Sequence, residues 1–351
     1  RSTILVRPAE SLYEHTVRRT GPGRTARQEH RDARLVLVRS MKSDRFQESL
    51  AFLALFLIAP LASAQTLVLQ RSFIEKYKNR ATIDATFIID HAHPRPNRPA
   101  KDGDLHASGR SEEVGLPMVS EVMNAAGESA VLKAIHANEV THAAMPISGA
   151  WRIWFEHPST QPQVQFANVP PAGNTNPDHC FEIHPITQYA GNSILNSLHE
   201  ISGYTPKDAE KAFGNYEKLS ATLEIDNQTV MITSKQVGFN YVKFTAELAG
   251  KPESLDNSDA GTSDGQVVLA NVMNNAGDEV LVDNVRLIFI AGSQPADELV
   301  NAPESATFEL LALPRVDQSA ISAFLQAGGS GTVVRKLPYE MIVVEARSLE
   351  D

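Results

Sequence analysis

Cysteine is almost absent: Cys180 stands alone in 351 residues. That excludes an internal disulfide and any zinc site built on cysteine pairs. The metalloprotease signature HExxH is missing as well. No apolar run approaches the roughly 20 residues a permanent membrane helix needs. The longest, Leu50–Ile58, has nine residues. Histidine is missing from everything after His199. Basic charge is scarce beyond the N-terminal segment. Residues 1–64 carry 11 Lys/Arg against 6 Asp/Glu, whereas the rest carries a net −15 of the chain's −10. An acidic body makes nucleic acid an unexpected partner, because affinity for it comes mainly from neutralising phosphates. With 42% hydrophobic and 21% charged residues, the chain is neither disordered nor a multi-pass membrane protein.

What is present starts with a leader. In 41–64, Lys42 and Arg45 precede the apolar run, Pro60 breaks it, and Ala62-Ser63-Ala64 fits the small-residue cleavage rule. This predicts a signal peptide over 41–64, a mature chain from Gln65, and export to the periplasm or the medium. Residues 1–40 are Arg- and Thr-rich, without periodicity, and read as disordered translation upstream of Met41.

Strand signals dominate the remainder. Alternating or β-rich stretches lie at 81–89, 118–123, 151–157 and 181–186, then at 221–225, 229–234, 241–248, 266–273, 280–290, 307–313 and 340–346. The Pro-, Gly- and Asn-rich segment 158–178 reads as a long loop. Helices are expected at 192–198 and 206–219, the latter with Thr205 as N-cap and Pro206 at its first position, and at 317–325 behind Asp317. The fold class is mainly β with a few helices, arranged as two small β-barrels in tandem. The division is 65–200, a helical connection at 201–220, and a second β-rich domain at 221–351. Glu121–Glu128 (EVMNAAGE) and Asn271–Asp278 (NVMNNAGD) share five of eight residues, which makes the second domain a candidate divergent repeat of the first.

Nine of the 11 histidines fall between His91 and His199. Within that belt, carboxylates and imidazoles recur two residues apart, the spacing that places both on one face of a strand. Asp104 and His106 form one pair, Glu182 and His184 another, and His91 and His93 flank Ala92. Such groups bind ligands, share protons or hold a divalent metal. Asp104, His106, Glu121, Trp154, Glu156, Glu182 and His184 are the ligand-binding candidates. His91, His93, His106 and His184 are the candidate metal ligands, for Zn²⁺ or Ca²⁺.

The order of these motifs, DGDLH, then MVSEV, then FEIHPI, resembles a set of secreted bacterial proteins. These carry a D-x-D-[IL]-H element and an E-[IL]-H-P-[VI] strand. The likeness covers about 80–190 and implies an OB-fold barrel, with Asp104, His106, Glu121, Glu182 and His184 as its recurrent polar set. The function expected is an exported binding module that presents a polar barrel face to a small or oligomeric ligand. The alternatives are a metal-dependent hydrolase, nuclease-like in its barrel, and a structural protein of the envelope.

Overall fold

A computed structural model describes residues 64–157, 159, 161–255 and 263–349. The leader and the segment before it lie outside these, except Ala64. The described chain opens with β1 (Ala64–Gln70) and α1 (Arg71–Tyr77).

The first barrel follows, from β2 (Thr82–Ala92), β3 (Leu105–Arg110), β4 (Met118–Val122), α2 (Ser129–Thr141), β5 (Met145–Ile153), β6 (Gln163–Val164), β7 (Phe181–Tyr189) and β8 (Asn192–Ser193). β2 is long enough to serve two neighbours. Its first half pairs with β5 and its second half, from Ile88 and with a bulge at Ile89/His91, pairs with β3. β4 pairs with β3 on one side and, in parallel, with β7 on the other, and β7 closes the ring onto β5. The third-to-fifth-strand parallel contact, with a helix between strands three and four, is the five-stranded OB-fold plan. Burial explains the closure: Ile83, Phe87, Leu105, Ala107, Phe181 and Ile183 alternate inward and are excluded from solvent.

A connecting stretch supplies β9 (Lys207–Asp208), α3 (Ala209–Tyr216), β10 (Ser220–Ile225) and β11 (Thr229–Lys235). α3 begins later than the sequence suggests. Lys207 and Asp208 lie in parallel beside the strand that starts at Val242, and the Asp208 carboxylate, not Thr205, caps the helix by accepting from Lys211 N. Residues 192–198, expected to be helical, form β8 and a single 3-10 turn.

The second barrel repeats the plan with β12 (Val242–Leu248), β13 (Glu253–Leu255), β14 (Gly265–Met273), β15 (Val280–Ile290), α4 (Gln294–Val300), β16 (Thr307–Val316), α5 (Gln318–Gln326), β17 (Gly331–Lys336) and β18 (Tyr339–Ser348). β12, β14, β15, β18 and β16 close the ring, again with a parallel contact between the third and fifth strands. The chain is therefore mostly β, with two closed five-stranded OB-like barrels in tandem. The sequence echo does not mark equivalent places. EVMNAAGE leaves β4, a third strand, whereas NVMNNAGD leaves β14, a second strand.

A third sheet, in the order β17-β10-β11-β1-β6, draws on both sequence halves. β1 lies antiparallel to β11, Leu67 opposite Ile232. A second apolar cluster, including Met123, Ala150, Ile201, Tyr241, Ile288, Leu313 and Ile342, likewise takes side chains from both barrels. Among the described residues no helix is long and apolar enough to cross a membrane.

Candidate functional site

The strand alternation that turns Leu105, Ala107, Phe181 and Ile183 into the first barrel's core turns Asp104, His106, Glu182 and His184 to its outer face. Glu121 on β4 sits opposite His106 of β3, and Met118–Ser120 of β4 run alongside Phe181–Ile183 of β7. Five of the sequence-expected polar residues therefore meet. His184 Nδ1 lies 3.4 Å from Glu121 Oε2 and 3.6 Å from Glu182 Oε2, and its Nε2 is 3.5 Å from Asp104 Oδ2. His106 Nε2 is 3.4 Å from the same Glu121 oxygen.

The face is not open. The second half of the chain lays Tyr241 over it, and Asp104 and His184 are both fully buried. The Tyr241 hydroxyl donates to Asp104 Oδ2 at 2.8 Å and lies 2.9 Å from His184 Nε2, which donates to it. The strand-two and strand-three face through which OB barrels take ligands is thus used here for internal contact.

Beside this cluster lies a second one, centred on Arg152. Its guanidinium donates to Glu156 through two nitrogens at 2.8 and 3.1 Å, to Glu182, and through Nε to the Pro314 carbonyl at 2.9 Å. β5 ends at Ile153, so Glu156 reaches Arg152 by folding back past the strand end. His157 approaches Glu156 and Glu182 at 3.3 and 3.5 Å and stacks on His179, with ring centroids 4.2 Å apart. His179 Nδ1 donates to the Pro177 carbonyl and its Nε2 is 3.0 Å from Glu182 Oε1.

The electrostatics follow from burial and neighbours. Burial pushes Glu121 well above the usual carboxylate range, and it raises Asp104 too. Burial opposes charge on His184, but Glu121, Asp104 and Glu182 outweigh it and hold the imidazole well above its ordinary value. His106 goes the other way, down to about 3, because burial dominates and His93 and His184 add positive charge nearby. Burial also works against charge on Glu156, His157 and Glu182. For Glu156 the Arg152 charge prevails, to about 2; hydrogen bonds to Glu156 and Glu182 raise His157 to about 10; Arg152 holds Glu182 well below its usual range.

Two groups among the described residues bring three ligand atoms within 4.8 Å of one another: Asp104, Glu121 and His184, and His157, His179 and Glu182. The expected four-histidine set is not assembled. His93 stacks on His106 at 4.7 Å, and neither they nor His91 join a group. The imidazoles meet in pairs, His93 on His106 and His157 on His179, not as one set of four. Trp154 is not a ligand platform either. It is buried edge-on against Tyr216 at 5.3 Å. Cys180 is buried and its thiol is pushed up to about 12 by burial, which disfavours the thiolate that a nucleophile needs.

Two residues outside the expectations organise the site. An arginine between two tryptophans in WRIW was a usable sign of a buried cation; Tyr241, 57 residues beyond His184, had no such sign. The second barrel carries the counterpart of Arg152. Arg152 faces Glu182 across β5–β7, and Arg315 faces Glu340 across β16–β18, each pair on strands four and five of its barrel. Arg152 donates to the carbonyl of Pro314, and Arg315 donates at 3.0 Å to the carbonyl of Trp151, so each arginine grips the residue before the other. This reciprocity is that of an isologous interface, built within one chain.

No family model matches the sequence, and no curated protein matches it. Among solved structures, a chain of a replication protein A heterotrimer bound to single-stranded DNA is similar at 10% identity over 68% of this chain, with a TM-score of 0.18. The match spans 45% of that chain's length. The OB-like assignment rests on strand order and pairing.

Proposed function

We propose that this chain is an exported binding module without catalytic chemistry, and that its ligand lies in an open groove on the first barrel. The observation that carries this reading is the burial of the polar barrel face beneath Tyr241, whereas the groove on the same barrel is open to solvent. The groove has a volume of about 680 Å³, within the range of small-ligand sites, and is lined by Ile88, Arg110, Gly115, Phe166, Asn168 and Val169 among others. Phe166 is 58% exposed, a large ring left to solvent. It is held at a positive φ of 62°. Arg110 is already engaged by Asp90 through bonds of 3.1 and 2.9 Å, and Glu112 and Glu113 stand nearby. The ligand that suits these walls is neutral and partly apolar, not a polyanion. Asp90 also accepts from Ala172 N, and Ser108 donates to Asn174 O, so the long loop is tied down beside the barrel. The leader at 41–64 supports export.

The test uses the neutral apolar fluorophore N-phenyl-1-naphthylamine and a labelled 20-mer of thymidylate at low salt. Saturable fluorophore binding that weakens at least about tenfold in Phe166→Ala, equivalent to ~1.4 kcal/mol, supports the groove. Equal binding by wild type and variant removes it. Salt-sensitive saturation with the oligonucleotide replaces this reading by a nucleic-acid one.

A further inference from the structure

Three atoms in the Tyr241-capped cluster have no hydrogen-bond partner although they are shut off from water: Asp104 Oδ1, Glu121 Oε2 and His184 Nδ1. Unsatisfied buried polar atoms are uncommon in folded proteins, and each costs about 1–3 kcal/mol. Here three occur together, one on each member of a group whose ligand atoms lie within 4.8 Å of one another. The other sides of two of these residues are firmly held. The Tyr241 hydroxyl accepts a hydrogen bond from His184 Nε2 and donates one to Asp104 Oδ2. With Nε2 as the donor, Nδ1 is the nitrogen whose lone pair becomes available once the imidazole gives up its second proton. A histidine that donates one ring nitrogen to a fixed partner and leaves the other unpartnered has the outer-shell arrangement of a metal ligand.

We propose that Asp104, Glu121 and His184 bind a divalent transition-metal cation, Zn²⁺ in particular, at the joint between the two barrels. The 3.4 Å between His184 Nδ1 and Glu121 Oε2 equals the edge of a tetrahedron with metal bonds of about 2.1 Å, so the separation of these two ligand atoms suits a shared ion. An imidazole among the ligands favours Zn²⁺ over Ca²⁺ and Mg²⁺, which take oxygen, and the ordinary affinity order favours it over Mn²⁺. The ligands must be an ionised pair of carboxylates and a neutral imidazole. The ion therefore takes the place of the protons that otherwise let these groups share a buried space. Tyr241 comes from beyond the first barrel and seals the cluster. The ion is accordingly a structural one, enclosed as the barrels dock, and it fastens the first barrel to the strand that opens the second. The site differs from the binding groove and does not depend on it.

The full chain, refolded from urea with one equivalent of ZnCl₂ and then desalted, should retain about one zinc per chain by mass spectrometry of the metal. Its melting temperature should rise by several degrees over chelator-treated protein. Glu121→Gln reproduces the protonated side chain, so it should fold with the metal-free melting temperature and hold less than about a tenth of an equivalent. His157→Gln, which alters the neighbouring group, should bind as wild type does. Tyr241→Phe should lose about 10- to 100-fold in zinc affinity by chelator competition, the usual effect of removing an outer-shell partner. Wild type that retains no zinc overturns the proposal. Glu121→Gln that retains a full equivalent overturns it, and so does loss of zinc in His157→Gln, which places the ion in the other group. Should Glu121→Gln fold poorly, an unchanged affinity in Tyr241→Phe overturns it instead.

Discussion

Arg315→Met removes the most heavily used side chain at the joint. The guanidinium is 1% exposed. It donates to Glu340 at 2.7 Å, to the carbonyls of Ala81, Trp151 and Arg80 at 3.1, 3.0 and 2.9 Å, and stacks 3.6 Å above the Trp151 ring. Methionine keeps the apolar stem but none of these contacts. Breaking a buried ion pair from one side costs about 3–5 kcal/mol. Three stripped carbonyls and the lost ring contact add about 1–2 kcal/mol after relaxation, so the expected loss is about 5 kcal/mol. That is a third or more of the ~5–15 kcal/mol that holds a typical protein folded. With an m-value of about 3 kcal/mol/M, the urea midpoint should fall by about 1.7 M. Tryptophan fluorescence reports on this directly, because Trp151 lies beneath the missing group. Arg315→Met/Glu340→Met should recover about 2 kcal/mol, since Glu340 is then no longer buried without Arg315, but not the carbonyl bonds, and Arg286, which donates to Glu340 at 3.0 Å, keeps only Asp317 at 3.6 Å. A single-variant loss under about 1 kcal/mol, or a double variant less stable than the single, would refute the view that this pair clamps the barrels.

Arg152→Met should cost a similar ~5 kcal/mol, and together with Arg315→Met the losses should fall short of additive by more than about 1 kcal/mol, because both open the same joint; a urea double-mutant cycle measures this. Asp317, the N-cap of α5, is raised to about 6 by burial and by the nearby Glu340 charge. Because its folded value is raised, the stability it contributes is complete below about 3.8 and is lost as pH rises through 6. Asp317→Asn keeps the cap and should flatten that loss, stabilising the protein at pH 7 by about 1–2 kcal/mol in urea titrations run at several pH values. A Cβ on Gly149 would lie 2.5 Å from Pro185 O and 2.6 Å from Ile183 Cγ2, whereas one on Gly127 meets nothing within 4 Å. Thermal melts should therefore show Gly149→Ala losing about 3 kcal/mol or more and Gly127→Ala within about 0.5 kcal/mol of wild type.

Much of the barrel architecture was legible because strands write their faces in a two-residue period. Asp104 with His106, and Glu182 with His184, were paired from spacing alone, and the strands do turn them the same way. The burial of that face was not legible, because it depends on Tyr241 and the second barrel, and long-range docking leaves no local trace. α2 escaped notice for a related reason. Its inward stripe is only Val131, Ile135 and Asn138, too narrow to stand out as a period. The sequence echo does not align the two barrels. The EVMNAAGE echo joins non-equivalent strands, while the true correspondence, Arg152–Glu182 with Arg315–Glu340, is carried by two residues per barrel at unequal sequence separations. A charge buried for docking is retained by geometry, and geometry does not need neighbouring letters to match.

The sheet that runs β17-β10-β11-β1-β6 has a consequence for dissecting the molecule. β6 and β17 are each supplied by the loop between strands four and five of a barrel, and β1 finds its partner in β11 from the far side of the sequence. A chain severed near residue 203 would leave β1 with an open row of backbone donors and acceptors and would bare the apolar cluster that the two barrels share. Each fragment alone should therefore be prone to stick to itself. Made together, the two fragments should find each other and close the same sheet. The molecule would then work as a split protein, whose reassembly reports that its two halves have met.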